Sequence, residues 1–158
     1  MPFSLASFDP RPEIAPDLIQ SPGMESDSER LHRFATEYTA AWCSMNPSAV
    51  AAHFTDSGSL EINDGKPAVG RDAITAVAAS FYEALPDMQV YLRHLVLEGE
   101  RIEYHWTFTG TNTGPGGTGH SVRVDGFEAW TMGPDGLIAA SIGSYDQQEY
   151  DRQLAEGI

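Results

Sequence analysis

The feature that most constrains the fold of this chain is a change in apolar spacing at Met88. From this residue on, apolar side chains recur at every second position, which is the period of a half-buried strand. The pattern predicts four strands separated by turn signals, at residues 88–98, 101–110, 120–132 and 137–145. The second half of the chain is therefore predicted to form an antiparallel meander.

Helical spacing dominates before this change. Ser26 and Glu29 have capping-box spacing, and apolar residues follow at helical intervals: Leu31, Phe34, Ala35, Tyr38 and Trp42. Asn46-Pro47 predicts the start of a second helix, and a third follows Gly70 after a strand at residues 59–62. Helices followed by a meander predict an α+β fold, in which a curved antiparallel sheet packs on its helices.

The composition indicates which partners are excluded and where in the cell we expect the protein. The net charge of −14 argues against nucleic acid or an anionic membrane as a partner, because both bind cationic surfaces. The single cysteine, Cys43, excludes an intrachain disulfide and fits a reducing compartment. With no signal-peptide pattern and no membrane-spanning apolar run, we expect a cytoplasmic protein.

Proline content divides the chain. Residues 1–25 are rich in proline and lack clear periodicity, so we expect an extended or disordered segment there. Residues 26–158 are long enough to bury a core, and we expect them to form a single domain.

Two acids interrupt otherwise apolar strand faces. By strict alternation, Glu128 shares a face with Val122, Val124, Trp130 and Met132, and Asp146 shares one with Ile138, Ala140 and Ile142. An acid among apolar neighbours loses hydration, which raises its pKa and suits proton transfer near neutral pH. A connection of residues 132–136 would put both acids on one side of the sheet. Direct pairing of Met132 with Leu137 would separate them, unless a bulge intervenes.

The order of these elements resembles the nuclear-transport-factor-2-like superfamily, and most closely its SnoaL-like polyketide cyclases. The resemblance spans about residues 28–155. It rests on Tyr38 and Trp42, on residues 53–56, 70–74, 104–111 and 135–138, and on Asp146 with residues 152–154. It implies a cone-shaped, cystatin-like fold in which a curved sheet wraps around a long helix and leaves an apolar cavity at the open end. It also implies a homodimer. The same scaffold hosts cyclases, isomerases, dehydratases, epoxide hydrolases and binding modules, so the fold does not determine the reaction.

The resemblance also implies roles for particular residues. Asp146 matches the general base of the cyclases. Residues 146–155 are also predicted to form a short final helix, and an Asp at its start is equally suited to cap it. Glu128 and Tyr38 match the two oxyanion donors of ketosteroid isomerase. The base of that isomerase aligns with Ile62, which cannot accept a proton, and this argues against a steroid isomerase.

The strand at residues 101–110 has one polar and one apolar face. Arg101 and Glu103 resemble the Arg-x-Asp of limonene epoxide hydrolase, whose second carboxylate aligns with Gly143. His105 shares their face, whereas the opposite face is apolar and holds Tyr104, Trp106 and Phe108. If the polar face lines the cavity, His105 and Glu103 are candidates for proton transfer and substrate contact. Otherwise they are surface residues.

Three further residues are candidates for substrate contact: Trp42, His53 and Trp130. The histidines and the cysteine show no metal-ligand spacing, and the glycine-rich loop at residues 114–119 joins two strands instead of opening a helix. We therefore expect no metal and no cofactor.

The leading hypothesis is a cofactor-independent cyclase, isomerase or lyase that acts on a small hydrophobic carbonyl compound. Its catalytic residues would be Asp146, Glu128, Tyr38 and His105. One alternative is a non-catalytic module that binds a small ligand, and a second is an enzyme similar to epoxide hydrolases.

Overall fold

The computed structural model describes residues 25–158. It contains four helices: α1 (Asp27–Cys43), α2 (Pro47–Ala51), α3 (Arg71–Ala84) and α4 (Gln147–Glu156). Its strands are β1 (Phe54–Ile62), β2 (Ala68–Val69), β3 (Gln89–Glu98), β4 (Arg101–Thr111), β5 (Ser121–Met132) and β6 (Ile138–Tyr145). Within the described residues, no helix combines the length and the apolar character needed to cross a membrane.

The chain divides into two compact units between Arg33 and Phe34, and each is described by itself. In the first unit, the Glu29 N–H donates to the Ser26 hydroxyl at 3.1 Å, and the Ser26 N–H donates to the Glu29 carboxylate at 2.8 Å. This reciprocal pair is the predicted capping box at the start of α1. The segment expected to be extended, residues 1–25, lies outside the described residues apart from Glu25.

The second unit contains one six-stranded sheet in the order β2-β1-β6-β5-β4-β3. The predicted meander is confirmed, because β3, β4, β5 and β6 pair in sequence and antiparallel. The sheet is curved and not closed, and the α+β fold class is confirmed. One pair differs from the prediction: β1 and β6 run parallel, so the sheet is mixed.

Strand β1 is longer than the predicted segment at residues 59–62. Its first half, Thr55-Asp56-Ser57-Gly58, contains no apolar alternation that would mark a strand. The pairing with β6 also changes register between Phe54 and Ser59. Pairing with a strand far along the chain, and not local periodicity, extends this element.

One face of the sheet carries the core of the second unit. Tyr104, Trp106 and Phe108 of β4 are buried on it, together with the predicted apolar residues of β5: Val122, Val124 and Trp130. The helices contribute Tyr38 and Trp42 from α1, Val50 from α2, Ile74 and Ala78 from α3, and Tyr150 from α4. The apolar face of β4 is therefore the one turned toward the helices.

A β-bulge in β6 changes which residues share a face. Met132 pairs with Ile138, but Thr131 pairs with Ala140, so Ala139 is an extra residue on the β6 side. After the bulge, Gly143 lies opposite Glu128, and Ile142 is turned away from the core and is 49% exposed. The expected alternation that joined Ile138 to Ile142 is therefore wrong, because one inserted residue reverses the faces that follow.

Candidate active site

Glu128 is a buried carboxyl with an asymmetric set of hydrogen bonds. Its side chain is only 6% exposed, and its Oε1 accepts three hydrogen bonds. The donors are the Tyr38 hydroxyl at 3.1 Å, the Trp130 Nε1 at 3.0 Å and the Ser141 hydroxyl at 2.8 Å. No described residue donates to Oε2, so this second oxygen is the one available to a ligand.

Burial dominates the electrostatics of this carboxyl. Loss of hydration raises the pKa of Glu128 above its ordinary value of 4.5, and the hydrogen bonds from Trp130, Ser141 and Tyr38 partly oppose the shift. Burial also raises the pKa of Tyr38 well above its ordinary value, so that hydroxyl stays protonated and donates. A carboxyl whose pKa moves toward neutrality can exchange protons under physiological conditions.

Aromatic rings shield the polar cluster from water. The Tyr104 and Trp130 rings stack with centroids 5.0 Å apart, and Tyr38 meets both edge-on at 5.4 Å and 5.5 Å. The Tyr104 hydroxyl bonds to the Thr39 hydroxyl at 2.6 Å and therefore does not compete for Glu128. Each hydroxyl and indole group of the cluster therefore has a hydrogen-bond partner, and only Glu128 Oε2 is left without a donor among the described residues.

A pocket opens beside Glu128 on the core face of the sheet. Its volume is about 50 Å³, and Glu128 is the only acid among the residues that line it: Trp42, Leu60, Ile62, Phe81, Met88, Val90, Tyr104, Trp106, Phe108, Glu128, Gly143 and Tyr145. This volume is about a third of that of a dry cavity of about 150 Å³ that takes up benzene, so the pocket suits one end of a ligand whose remainder lies outside it. Ile62 also lines the pocket and has no ionisable group, so Glu128 is the acidic group of the pocket.

Two glycines of the sheet leave room for neighbouring groups: Gly143 lines the pocket, and Gly126 makes room for the Trp106 indole. On β5, Glu128 pairs with Tyr104 of β4 on one side and with Gly143 of β6 on the other. Two residues earlier on β5, Gly126 pairs with Trp106 of β4 and Tyr145 of β6. A Cβ on Gly126 would lie 2.5 Å from Trp106 Cη2, so the indole rests where a side chain would otherwise stand. A Cβ on Gly143 would lie 3.6 Å from Glu128 Cγ, an ordinary contact distance.

The structure places Asp146 away from this pocket. The residue is exposed, directly follows β6, and accepts a hydrogen bond of 3.0 Å from the Glu149 N–H as the N-cap of α4. It is not among the residues that line the pocket. Its observed place is thus the capping position, and its role as a base stays a prediction.

The polar face of β4 is turned away from the pocket. Glu103 bonds to Arg101 Nε at 2.8 Å and to His105 Nε2 at 2.9 Å, and this Arg101 pair holds the pKa of Glu103 below its ordinary value. The alternate residues, Tyr104 and Trp106, line the pocket instead. Glu103 and His105 therefore lie on the opposite side of the sheet from Glu128.

The remaining candidates divide between the pocket and the core. Trp42 lines the pocket, whereas Trp130 is buried and supplies a hydrogen bond to Glu128. His53 bonds through Nδ1 to the Ala49 carbonyl at 2.9 Å and packs edge-on against Tyr38, outside the pocket lining. Across residues 25–158, no group of three or more His, Cys, Asp or Glu side chains is placed to hold a metal ion.

Ser141 was not among the predicted site residues. Its hydroxyl makes the shortest of the three bonds to Glu128, and it pairs with Trp130 across β5 and β6. Without the bulge at Ala139, strict alternation would put Ser141 on the opposite face. Only knowledge of that bulge would have predicted its place.

Comparison with known proteins identifies the fold. A protein from Jannaschia sp. CCS1 assigned as a SnoaL-like polyketide cyclase superposes with a TM-score of 0.72 at 16% identity, over 86% of this chain and 100% of that one. A protein with a ketosteroid isomerase-like fold from Catenulispora acidiphila, in complex with trimethylamine, gives a TM-score of 0.68 at 18% identity, over 77% and 92%. The third is SalBIII, an epoxide hydrolase/cyclase-like enzyme of pyran ring formation in the polyether salinomycin. It superposes with a TM-score of 0.66 at 18% identity, over 78% of this chain and 95% of that one.

These likenesses establish the architecture and not the reaction, because all three identities are low. Among curated proteins, none matches this sequence. The model of the SnoaL-like domain family, however, matches residues 35–141, which span α1 to β6 and include Tyr38, Glu128 and most of the pocket. This chain therefore belongs to the SnoaL-like domain family.

Proposed function

We propose that the protein is a cofactor-independent cyclase, isomerase or lyase in which Glu128 transfers protons to and from a small hydrophobic carbonyl compound. The observation that carries this proposal is the placement of Glu128 Oε2. This oxygen belongs to a carboxyl of raised pKa, in an apolar pocket, and no described residue donates to it. A base in such a site is poorly solvated and hence reactive toward a weakly acidic C–H bond.

The chemistry follows from the two carboxyl oxygens. Oε1 is held by three donors, so the side chain does not rotate, and Oε2 accepts the proton from the carbon next to the ligand carbonyl. The C–H electron pair moves into the enolate as the O–H bond forms at Oε2. Return of that proton to another carbon gives an isomer. Attack of the enolate carbon on a second carbonyl closes a ring, and the proton then goes to the new alkoxide.

This proposal differs from the sequence-based hypothesis in its choice of base. Asp146 was expected to act as the base and Glu128 as a neutral donor with Tyr38. Asp146 is exposed and caps α4, and the Tyr38 hydroxyl donates to Glu128 instead of lining the pocket. We therefore assign proton transfer to Glu128 and treat Tyr38, Trp130 and Ser141 as positioning residues.

Exchange at carbon provides a test that needs no natural substrate. Cyclopentanone in D2O should exchange its α-hydrogens faster with the protein than in buffer, as measured by loss of the α-proton NMR signal. Glu128→Gln keeps the shape of the side chain and removes the base, so the rate should fall by about 100-fold or more. Exchange no faster than in buffer, or equal exchange by E128Q, would refute the proposal.

The second candidate is a binding module without catalysis, and the aromatic lining of the pocket favours it. Six aromatic residues line the pocket around one acid: Trp42, Phe81, Tyr104, Trp106, Phe108 and Tyr145. Such a set also suits a small cation, by ring contacts and charge, and the Catenulispora acidiphila protein is in complex with trimethylamine. Tight binding of trimethylammonium by a protein that does not exchange cyclopentanone would favour this candidate.

An epoxide hydrolase has less support, because Arg101 and Glu103 pair with each other on the sheet face opposite the pocket. A homodimer and a cytoplasmic location stay predictions from the sequence. Sedimentation equilibrium of the purified chain tests the first of these.

A further inference from the structure

The indole nitrogen of Trp106 has no partner in a structure where other buried side-chain polar atoms have one. Of the side-chain nitrogen and oxygen atoms that are fully buried in residues 25–158, Trp106 Nε1 alone has no hydrogen-bond partner. A buried donor that stays unsatisfied destabilises the folded protein. Unpaired buried donors are rare in native proteins, and each calls for an explanation.

Trp106 is 8% exposed and lines the same pocket as Glu128, so a ligand in this pocket would lie next to its indole. Its six-membered ring lies over Gly126, and its ring centroid is 6.1 Å from that of Tyr145 on the far side of this glycine. Trp106 and Glu128 are diagonal neighbours on β4 and β5, a separation that one small ligand can bridge.

We infer that Trp106 Nε1 is the hydrogen-bond donor to the carbonyl oxygen of the ligand in this pocket, and that it selects ligands with an acceptor at this point. The inference rests on the proposed function, since it assigns the second polar contact of the same site. An indole N–H only donates. It therefore favours a ketone, an enone or a lactone over a hydrocarbon or an ammonium ion, neither of which offers an acceptor. As charge develops on the carbonyl oxygen, the bond to this N–H strengthens.

The N–H of one other tryptophan beside the pocket is occupied. Trp130 Nε1 donates to Glu128 Oε1 at 3.0 Å, so it is not free to bind a ligand carbonyl. Its indole signal is the control for that of Trp106.

The experiment compares two ligands that differ by one atom group, cyclopentanone and methylenecyclopentane. The chain contains three tryptophans, and their indole N–H signals in a ¹H–¹⁵N spectrum are assigned with single Trp→Phe variants. The Trp106 signal should move downfield with cyclopentanone and much less with methylenecyclopentane. The Trp130 signal should respond alike to both compounds.

Replacing the indole of Trp106 with benzothiophene, by incorporation of benzothienylalanine, removes the N–H at nearly unchanged ring shape. The preference for cyclopentanone over methylenecyclopentane should fall by about fivefold, the value of one hydrogen bond near 1 kcal/mol. An unchanged preference in the Trp106 variant, or equal signal shifts with the two compounds, would overturn the inference.

The outcomes separate this inference from the proposed function. Suppose that wild type exchanges the α-hydrogens of cyclopentanone and E128Q does not, but that the Trp106 signal shifts equally with cyclopentanone and methylenecyclopentane. In that case only the inference on Trp106 fails. If neither compound binds to the wild-type protein, both fail together.

Discussion

Glu128 lies directly opposite Gly143 in the pairing of β5 and β6, so the buried carboxyl faces a position that has no side chain. The missing side chain leaves the pocket open beside Glu128. A larger residue at this position would occupy the space that the proposal reserves for a ligand.

Gly143→Ala should close part of the pocket without harming the fold. The new methyl would lie 3.6 Å from Glu128 Cγ and 3.5 Å from the Glu61 carbonyl, both ordinary contacts. Since Gly weakens a strand relative to Ala, the free energy of unfolding should stay equal or rise by up to about 1 kcal/mol. Cyclopentanone binding and α-exchange should both weaken. Loss of stability with unchanged binding would show that the pocket is not the ligand site.

Gly126→Ala, unlike Gly143→Ala, should destabilise the fold. Its Cβ would lie 2.5 Å from Trp106 Cη2 and 2.6 Å from the Ser144 carbonyl oxygen, so the indole must move against the neighbouring backbone. We expect a loss of about 1–3 kcal/mol in the free energy of unfolding, measured by urea denaturation. A variant as stable as wild type would contradict the packing of Trp106 over this glycine.

Tyr38→Phe should raise the pKa of Glu128 further. The Tyr38 hydroxyl bonds to Oε1 and lowers this pKa, so its removal leaves burial less opposed. Stability should fall by about 1 kcal/mol for the lost hydrogen bond. Tyr104→Phe is the control, because that hydroxyl bonds to Thr39 and not to Glu128. A Glu128 pKa that moves equally in both variants, by NMR titration of labelled glutamate, would contradict the assignment.

The stability of wild type relative to E128Q should depend on pH. Below pH 4.5 the Glu128 carboxyl is protonated in both the folded and the unfolded chain, so it carries no ionisation penalty. As the pH rises above this value, the unfolded chain loses its proton first, and the folded state loses about 1.4 kcal/mol per pH unit until the raised pKa is reached. Urea denaturation at several pH values should show wild type losing stability relative to E128Q over this window. A difference that is constant with pH would mean that the pKa is not raised.

Asp146 variants should separate capping from catalysis. Asp146→Ala removes the acceptor of the Glu149 N–H and should cost about 1 kcal/mol, whereas Asp146→Asn keeps a capping oxygen and most of that stability. Both variants should exchange cyclopentanone at the wild-type rate, after correction for folded fraction. Loss of exchange in folded D146N would restore Asp146 as the base.

How far the sequence predicts this site depends on whether the strands are regular. The burial of Val122, Val124, Glu128 and Trp130 follows from alternation along β5, which no bulge interrupts between them. The same argument fails in β6, because the bulge at Ala139 leaves no trace in apolar spacing. Strict alternation therefore predicts that Ile142 is buried and Ser141 exposed, whereas Ser141 is buried and Ile142 is exposed.

Two further features of the sheet could not be predicted, because they too have no signal in the local sequence pattern. The parallel pairing of β1 with β6 joins segments far apart in sequence, and β2 contains only two residues, so neither has a local pattern. The sequence left open which face of β4 meets the helices. The choice follows from packing, since Tyr104, Trp106 and Phe108 bury more apolar surface than the alternative set of Glu103, His105 and Thr107.

The most direct test of the account is the pH dependence of cyclopentanone α-exchange by the wild-type protein. If the Glu128 carboxylate is the base, the rate should rise with pH through a midpoint above 4.5, and that step should vanish in E128Q. A midpoint at or below 4.5, or a step that persists in E128Q, would contradict the claim that Glu128 carries the proton.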